Sequence, residues 1–480
     1  MVSEAHVENG PRPWWGLAAA LGAAAAVWAW TAPAPHAKLA ALFAATAVLW
    51  LTEALPPAVT ALLAVALSVV LGIATAKEAF AALGSPVLYL FVGSFMVAEA
   101  IHLHGLGARF AEGLSRVARG RLGGLFATSG AAFLLSMWTS NAASTAVVLP
   151  LALNLGSSTK DTRYTAAQVL GVAWGASMGG LCTPVGTPPN LIAVRALAAA
   201  GTPLSFGKWM QVGVPVGLAM LAVMWALFAG VFRIRPGEAL AEPPPARGTW
   251  SRGEWAAGTA FVLAVVLWTA PEILTLVGIP FGRALKERLP EEVVALLAAA
   301  LLFAWPVQGP GEPRRAALRW EDAARIDWGT VLLFGGGILL GDLAQKTGLS
   351  DAWGKALVSA SGAQSGWAVV ALVTGVSLVL SEFASNTASA TLMVPLALAL
   401  SSAAGTPPVP AVLGATLGAS FGFMMPISTA PNAMAYGTGK ISIRQMVKAG
   451  IVFDLVGYAV VVGMLRLLVP LLGLEGATTP

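Results

Sequence analysis

The chain has 480 residues, 57% hydrophobic and 11% charged, with a mean hydropathy of +0.76. A water-facing surface and a protein core cannot share that balance, so a soluble globular protein is excluded and the main partner is the lipid bilayer. The net charge of +5 does not indicate nucleic acid, because the 28 Lys and Arg are spread over many loops; a single cysteine, Cys182, excludes an internal disulfide, and four histidines at 6, 36, 102 and 104 cannot build a Cys/His metal cage.

A hydrocarbon layer takes about 20 apolar residues per helix. The first stretch, Trp14 to Ala32, has no convincing small-residue cleavage site and runs into further apolar blocks, so it is read as a retained helix rather than a signal peptide. Spans follow at 38–53, 57–74 and 86–104. The block 122–156 is too long for one crossing and is interrupted by Ser140-Asn141, the pattern of a helical hairpin that enters and returns on one side. Spans at 165–199 and 210–232 lead to a polar, Pro-rich linker from Arg235 to Arg252 that contains Pro243-Pro244-Pro245. The second half offers 254–276, 290–307 and 329–347, a second hairpin at 366–401 interrupted by Ser385-Asn386, then 409–439 and 447–473. The expectation is an all-α polytopic membrane protein of about eleven crossings plus two re-entrant hairpins.

With the N-terminus in the cytoplasm, most of the 28 basic residues fall on cytoplasmic segments, among them Arg12, Arg119, Arg121, Lys160, Arg233, Arg235, Arg247, Arg325 and Lys440. The C-terminus is then external, and Arg283, Lys286 and Arg288 are the main exception. Tryptophans near span ends, such as Trp14, Trp15, Trp28, Trp30 and Trp328, read as interfacial anchors.

The chain repeats itself. Gly93, Glu99 and Gly105 map onto Gly336, Asp342 and Gly348 at a spacing of 243. Ser136, Ser140, Asn141 and Pro150 map onto Ser381, Ser385, Asn386 and Pro395 at 245. Thr183-Pro-Val-Gly-Thr-Pro-Pro-Asn190 maps onto Met425-Pro-Ile-Ser-Thr-Ala-Pro-Asn432 at 242. The helix preceding each hairpin runs in opposite directions in the two halves, so the repeats are inverted.

Ser140-Asn141 and Ser385-Asn386 place hydroxyl and amide oxygens where a helix must stop, leaving backbone groups without helical partners. Such oxygens suit sodium, and helix starts equally suit carboxylate or sulfate oxygens. The bland alternative is that these residues only cap helices. Gly186-Thr187-Pro188-Pro189-Asn190 and Ser428-Thr429-Ala430-Pro431-Asn432 interrupt blocks too long for a straight span, so each block reads as a discontinuous helix or, more simply, as a proline kink. No Lys or Arg is expected near the hairpin tips, which favours balancing an anion with bound cations. Glu99, Asp342, Glu382 and Asp454 are the alternative clue, candidate proton carriers of which only Glu382 is near a motif. No Gly-x-Ser-x-Gly or His-Glu-x-x-His is present, so the expected function is transport and not catalysis.

These paired Ser-Asn motifs, each followed by a break ending in Pro-Asn, resemble the divalent anion/sodium symporter family, whose members are solute carrier family 13-like dicarboxylate, citrate or sulfate transporters. The resemblance covers nearly the whole chain. It implies sodium-coupled uptake of a small divalent anion, most typically a C4-dicarboxylate of the succinate or malate type, by a homodimer in the plasma (inner) membrane whose transport domain moves like an elevator past a fixed scaffold. On this resemblance sodium is held by Ser136, Ser140, Asn141 and the backbone near Gly186, and by Ser381, Ser385, Asn386 and the backbone near Ser428. The substrate meets Ser140, Asn141, Ala142, Thr187 and Pro188 on one side and Ser385, Asn386, Thr387, Thr429, Ala430 and Pro431 on the other. Ala142 stands where the first motif would normally end in Thr. The implied domains are scaffold at 1–106 and 254–349, transport units at 107–232 and 350–480, and a cytoplasmic linker at 233–253.

Overall fold

The computed structural model describes residues 14–116, 120–157, 159, 161–232, 234, 248–279, 281–308, 314–362 and 365–474. His6, Arg12, Arg119, Lys160, Arg233, Arg235, Arg247, Pro243-Pro244-Pro245 and most of the 233–253 linker lie outside the described residues.

Every apolar block of the sequence is helical. The first half runs α1 (Trp14–Thr31), α2 (Ala37–Thr52), α3 (Pro57–Val70), α4 (Ala76–Ala81), α5 (Pro86–Leu103), α6 (Leu106–Arg116), α7 (Gly120–Ser136), α8 (Asn141–Ser157), α9 (Thr162–Gly180), α10 (Pro188–Ala199) and α11 (Phe206–Val231). The second runs α12 (Arg252–Leu276), α13 (Phe281–Arg288), α14 (Glu291–Ala304), α15 (Trp320–Ala323), α16 (Trp328–Lys346), α17 (Leu349–Ser361), α18 (Gly366–Phe383), α19 (Asn386–Ala403), α20 (Pro408–Ala419), α21 (Ala430–Gly437) and α22 (Ile443–Leu471). A two-residue antiparallel pair joins Pro306–Val307 to Arg315–Ala316.

Local chemistry sets the ends of these helices. Proline occupies the first turn of α3, α5, α10 and α20, where its missing N–H costs nothing. Ser205, Ser251, Ser365 and Ser442 cap α11, α12, α18 and α22 through their hydroxyls. Gly105 and Gly348, the matched glycines after α5 and α16, stop those helices at φ of 70° and 75°, a conformation that suits glycine.

Among the described residues six stretches are long and apolar enough to cross a membrane: 76–103, α11, 252–275, α16, α18 and α22. Helices α2, α3 and α20 are apolar but shorter. The connecting helices α4, α6, α13, α15 and α17 escape an apolar-block reading because they are short or mix polar and apolar residues. Of the tryptophans, Trp14, Trp15, Trp28, Trp30 and Trp328 are exposed as anchors would be, whereas Trp50, Trp174 and Trp209 are core.

Packing partners fall into matching pairs. Helix α5 packs on α14 and α16 on α3; α7 packs on α9 and α18 on α20; α8 packs on α9 and α19 on α20; α21 packs on α8 and α9, and α10 on α19 and α20. Small residues allow these approaches, as expected where lipid gives helices no hydrophobic drive to associate. A Cβ on Gly93 would come within 2.5 Å of the Ala295 carbonyl carbon, and one on its counterpart Gly336 within 2.7 Å of the Ala61 Cβ. At the α7–α9 seam a Cβ on Gly179 would collide with the Phe133 carbonyl oxygen. Overpacking of this kind costs about 1–3 kcal/mol. Gly179→Ala is therefore expected to lower the thermal midpoint of the detergent-solubilised protein by several degrees, while Gly230→Ala, with nothing within 4 Å of the added carbon, leaves it unchanged in the same melt.

Candidate functional site: hairpin tips and broken helices

Each hairpin turns in a few residues. Helix α7 stops at Ser136, and α8 starts at Asn141 with Ser140 as its cap, the Ser140 hydroxyl accepting from the Ala143 N–H at 3.1 Å. In the second hairpin Ser385 accepts from the Ala388 N–H at 3.2 Å. Capping is thus real at both tips, and it leaves the asparagines free for other work. The Ser136 hydroxyl donates to Asn141 Oδ1 at 2.7 Å, and the Ser381 hydroxyl lies 2.8 Å from Asn386 Oδ1 and 2.6 Å from the Ala419 carbonyl.

Both long blocks are broken helices: α9 ends at Gly180 and α10 resumes at Pro188, and α20 ends at Ala419 and α21 resumes at Ala430. An asparagine braces each gap. Asn190 donates its amide hydrogens to the carbonyls of Gly180 (2.8 Å) and Thr183 (2.7 Å), and Asn432 donates to those of Gly422 (2.6 Å) and Met425 (3.1 Å). Both are fully buried, and neither Asn190 Oδ1 nor Asn432 Oδ1 has a hydrogen-bond partner among the described residues. A hydroxyl braces each loop from a different position. The Thr183 hydroxyl donates to the Met137 carbonyl and accepts from the Gly186 N–H at 3.1 Å, whereas the Ser428 hydroxyl lies 2.9 Å from the Gly422 carbonyl and 2.7 Å from that of Met425.

Tip and loop meet closely in each half. A Cβ on Gly180 would collide with Asn141 Oδ1, and one on Gly186 would fall 2.6 Å from the Gly180 carbonyl oxygen and 3.0 Å from that of Ser136. In the second half a Cβ on Gly422 would lie 3.1 Å from the Ser381 carbonyl and 3.2 Å from the Ser428 hydroxyl. Each junction is a small nest of neutral oxygens.

The two nests face one cavity of about 540 Å³. Its wall includes Ser140, Asn141, Ala142, Gly186, Thr187 and Pro188 from the first half and Ser385, Asn386, Thr387, Ser428, Thr429, Ala430 and Pro431 from the second. Ser136 and Ser381 lie buried beneath the tips and do not line it. The Thr429 hydroxyl is used as a cap, accepting from the Asn432 N–H at 3.3 Å, while Thr187 makes no side-chain cap. The Thr387 hydroxyl has no hydrogen-bond partner among the described residues.

The opposite wall corrects the sequence reading twice. Arg325, in the turn before α16, lines the same cavity as the tips, so a cation does stand near them; it comes from a segment remote in sequence. Glu99, with His102, also lines the cavity from α5, so Glu382 is not the only acid near the motifs. Glu382 itself is fully buried and accepts from the N–H groups of Phe423 (2.7 Å) and Met424 (3.1 Å), the start of the second helix break, with Asp454 beside it.

A sequence profile described as the sodium:sulfate symporter transmembrane region matches residues 12–474. The chain belongs to the sodium:sulfate symporter family. It is 32% identical over 426 residues to an uncharacterized transporter of Haemophilus influenzae, covering 85% of this chain and 86% of that one. It is 30% identical over 443 residues to the sodium-dependent dicarboxylate transporter SdcS of Staphylococcus saprophyticus, covering 87% and 83%. The fold matches that of the YdaH transporter of Alcanivorax borkumensis with a TM-score of 0.55 at 14% identity, over 86% of this chain and 89% of that one. A member of the sodium:sulfate symporter family is a membrane transporter and not an enzyme, and among the described residues no group of three or more His, Cys, Asp and Glu is placed to hold a metal ion.

The sequence pattern does not mark Asn190, Asn432 and Thr183 as site residues, although the first two end the motif matched at a spacing of 242. Losing a brace leaves buried carbonyls unpaired at about 1–3 kcal/mol. Asn190→Ala and Asn432→Ala are each expected to lower the thermal midpoint in detergent, and an unchanged melt for both would show that the amides do not hold the breaks.

Proposed function

We propose that this symporter-family member takes up a small divalent anion, most typically a C4-dicarboxylate, together with sodium, at a site between its two hairpin tips. The observation that carries the reading is that both tips and both helix breaks share one cavity, each junction offering neutral oxygens at short range. Sodium prefers such hard, uncharged donors when it sheds water. Ser136, Ser140, Asn141 and the Gly186 backbone hold one ion; Ser381, Ser385, Asn386 and the Ser428 backbone hold the other. The bare Oδ1 atoms of Asn190 and Asn432 fit the same need, since a cation compensates a buried oxygen that no N–H reaches.

The anion sits between the tips, where the N-terminal ends of α8 and α19 put unpaired N–H groups and their dipoles toward the cavity. Thr387 donates from one side; Ala142, its counterpart, cannot. The dicarboxylate named for the staphylococcal relative supports this substrate class, and citrate and sulfate are the competing anions of an uptake screen. Units 107–232 and 350–480 carry the site past the remainder of the chain, in a homodimer spanning the plasma (inner) membrane with a cytoplasmic N-terminus. In that orientation the C-terminal end of α5 and the turn holding Arg325 are cytoplasmic, so the cavity opens inward.

Uptake into proteoliposomes with and without a sodium gradient tests the reading, and gradient-independent uptake of every anion overturns it. Asn141→Ala and Asn386→Ala are each expected to raise the sodium concentration for half-maximal uptake strongly or to abolish uptake. Thr387→Ala is expected to weaken anion affinity about 10- to 100-fold at saturating sodium, the equivalent of the ~1.5–3 kcal/mol of a hydrogen bond to a charged group, with Thr387→Ser retaining most of it. Unchanged titrations remove the anion from between the tips.

A further inference from the structure

Among the differences in packing between matched helices, one bears on the cavity. Helices α10 and α19 pack against α16, whereas their counterparts α21 and α8 make no comparable packing against α5. The cavity occupies that missing contact, with Phe95 and Glu99 of α5 on one wall and Ala142, Pro431 and Met434 on the other. On the packed side a Cβ on Gly337 of α16 would lie 2.6 Å from the Thr391 methyl carbon of α19. An ion pair crosses the same seam: Arg195 of α10 reaches Asp342 of α16 at 3.4 Å.

Asp342 has a counterpart at a spacing of 243, Glu99, and Glu99 faces the open cavity with no ion-pair partner among the described residues. The position matching Arg195 at a spacing of 242 is Gly437, the last residue of α21, and the next cation along the chain is Lys440. Lys440 is exposed, its backbone N–H is held by the Thr438 hydroxyl at 3.2 Å, and its ammonium has no ion-pair partner among the described residues. One acid is therefore engaged where the helices are packed, and its twin is unengaged where they stand apart.

We propose that Asp342 and Glu99 are the two seats of an alternating latch, with Arg195 on Asp342 while the cavity opens toward Glu99 and Lys440 on Glu99 when the hairpin-bearing units have moved to the opposite side. The proposal rests on the movement of those units put forward above. Both side chains of the visible pair are partly exposed, 28% for Arg195 and 49% for Asp342, so water and salt weaken it. Such a pair suits a latch, because it biases the resting position without preventing release. In the reciprocal arrangement α21 packs on α5 as α10 now packs on α16, and the cavity opens between α16 and α10. Since Arg195 and Asp342 end the external halves of their helices under the proposed orientation, the visible pair closes the outer path.

Cys182 is the only cysteine and is buried, so a Cys182→Ala background reports introduced thiols alone. Arg195→Cys with Asp342→Cys, bridged by a short bis-methanethiosulfonate reagent, is expected to cut uptake at least tenfold and to recover it on reduction. Glu99→Cys with Lys440→Cys is expected to bridge in the opposite state, and in a four-cysteine protein either bridge formed first is expected to prevent the other. Both bridges in one molecule, undiminished uptake with Arg195→Cys and Asp342→Cys bridged, or no bridge between positions 99 and 440 in any combination of sodium and anion overturns the latch. A double charge reversal, Arg195→Asp with Asp342→Arg, is expected to restore the bridging balance that Asp342→Arg alone disturbs. Mutual exclusion is read on gels without transport, so protein that bridges as expected but takes up no anion separates failure of the assigned function from failure of the latch.

Discussion

A backbone that stops being helical within a hydrocarbon layer must find partners for every exposed N–H and C=O, since lipid offers none. This chain stops four times, at 137–140, 181–187, 384–385 and 420–429, and each stop has its own compensation. Serine hydroxyls cap the helices that leave the tips, asparagine amides tie the loop carbonyls, and the Glu382 carboxylate takes two loop N–H groups. Compensation is incomplete at Asn190 Oδ1 and Asn432 Oδ1, buried oxygens with no hydrogen-bond partner among the described residues. The oxygen surplus that would destabilise an ordinary membrane core gives the proposed cation sites their chemistry.

The related halves solve this problem with different parts. In the first, the hydroxyl of the loop comes from Thr183 and residue 186 is glycine; in the second, position 425 is Met and the hydroxyl comes from Ser428. Glu382, which braces the second break, corresponds to Met137, whose carbonyl accepts from Thr183 in the first. At the tips Thr387 faces Ala142 across one cavity. The geometry of the frame is shared while the polarity of its lining is not, so an anion held as proposed would meet two unlike sides.

Much of this was legible in the sequence. Apolar blocks gave the helices to within a few residues, and Ser-Asn and Pro-Asn interruptions marked the turns and breaks because those residues stop helices for reasons that act locally. The pairing of the tips in one cavity was implied by the family resemblance. What escaped were features decided by tertiary approach. Arg325 reaches the cavity from a turn about sixty residues before the second tip, and nothing around it in the chain marks it as different from other loop arginines. Glu99 and Asp342 read alike as candidate proton carriers, and only the packing shows that one is ion-paired while the other has no ion-pair partner among the described residues. Asn190 and Asn432 carried a signal, their matched spacing, but their work as braces depends on loop carbonyls that curl back onto them.

The exchange of hydroxyl positions between Thr183 and Ser428 bears on how such a chain can be inherited. Each of the two matched segments carries one bracing hydroxyl, at its first position in 183–190 and at its fourth in 425–432. A crossover between those positions is therefore hazardous: joining Thr183 to the serine of the other segment gives one loop both bracing hydroxyls, and joining Met425 to the glycine removes the brace. Segments 183–190 and 425–432 behave as indivisible cassettes, so recombination between the halves, natural or engineered, preserves function only with its joints in the flanking helices.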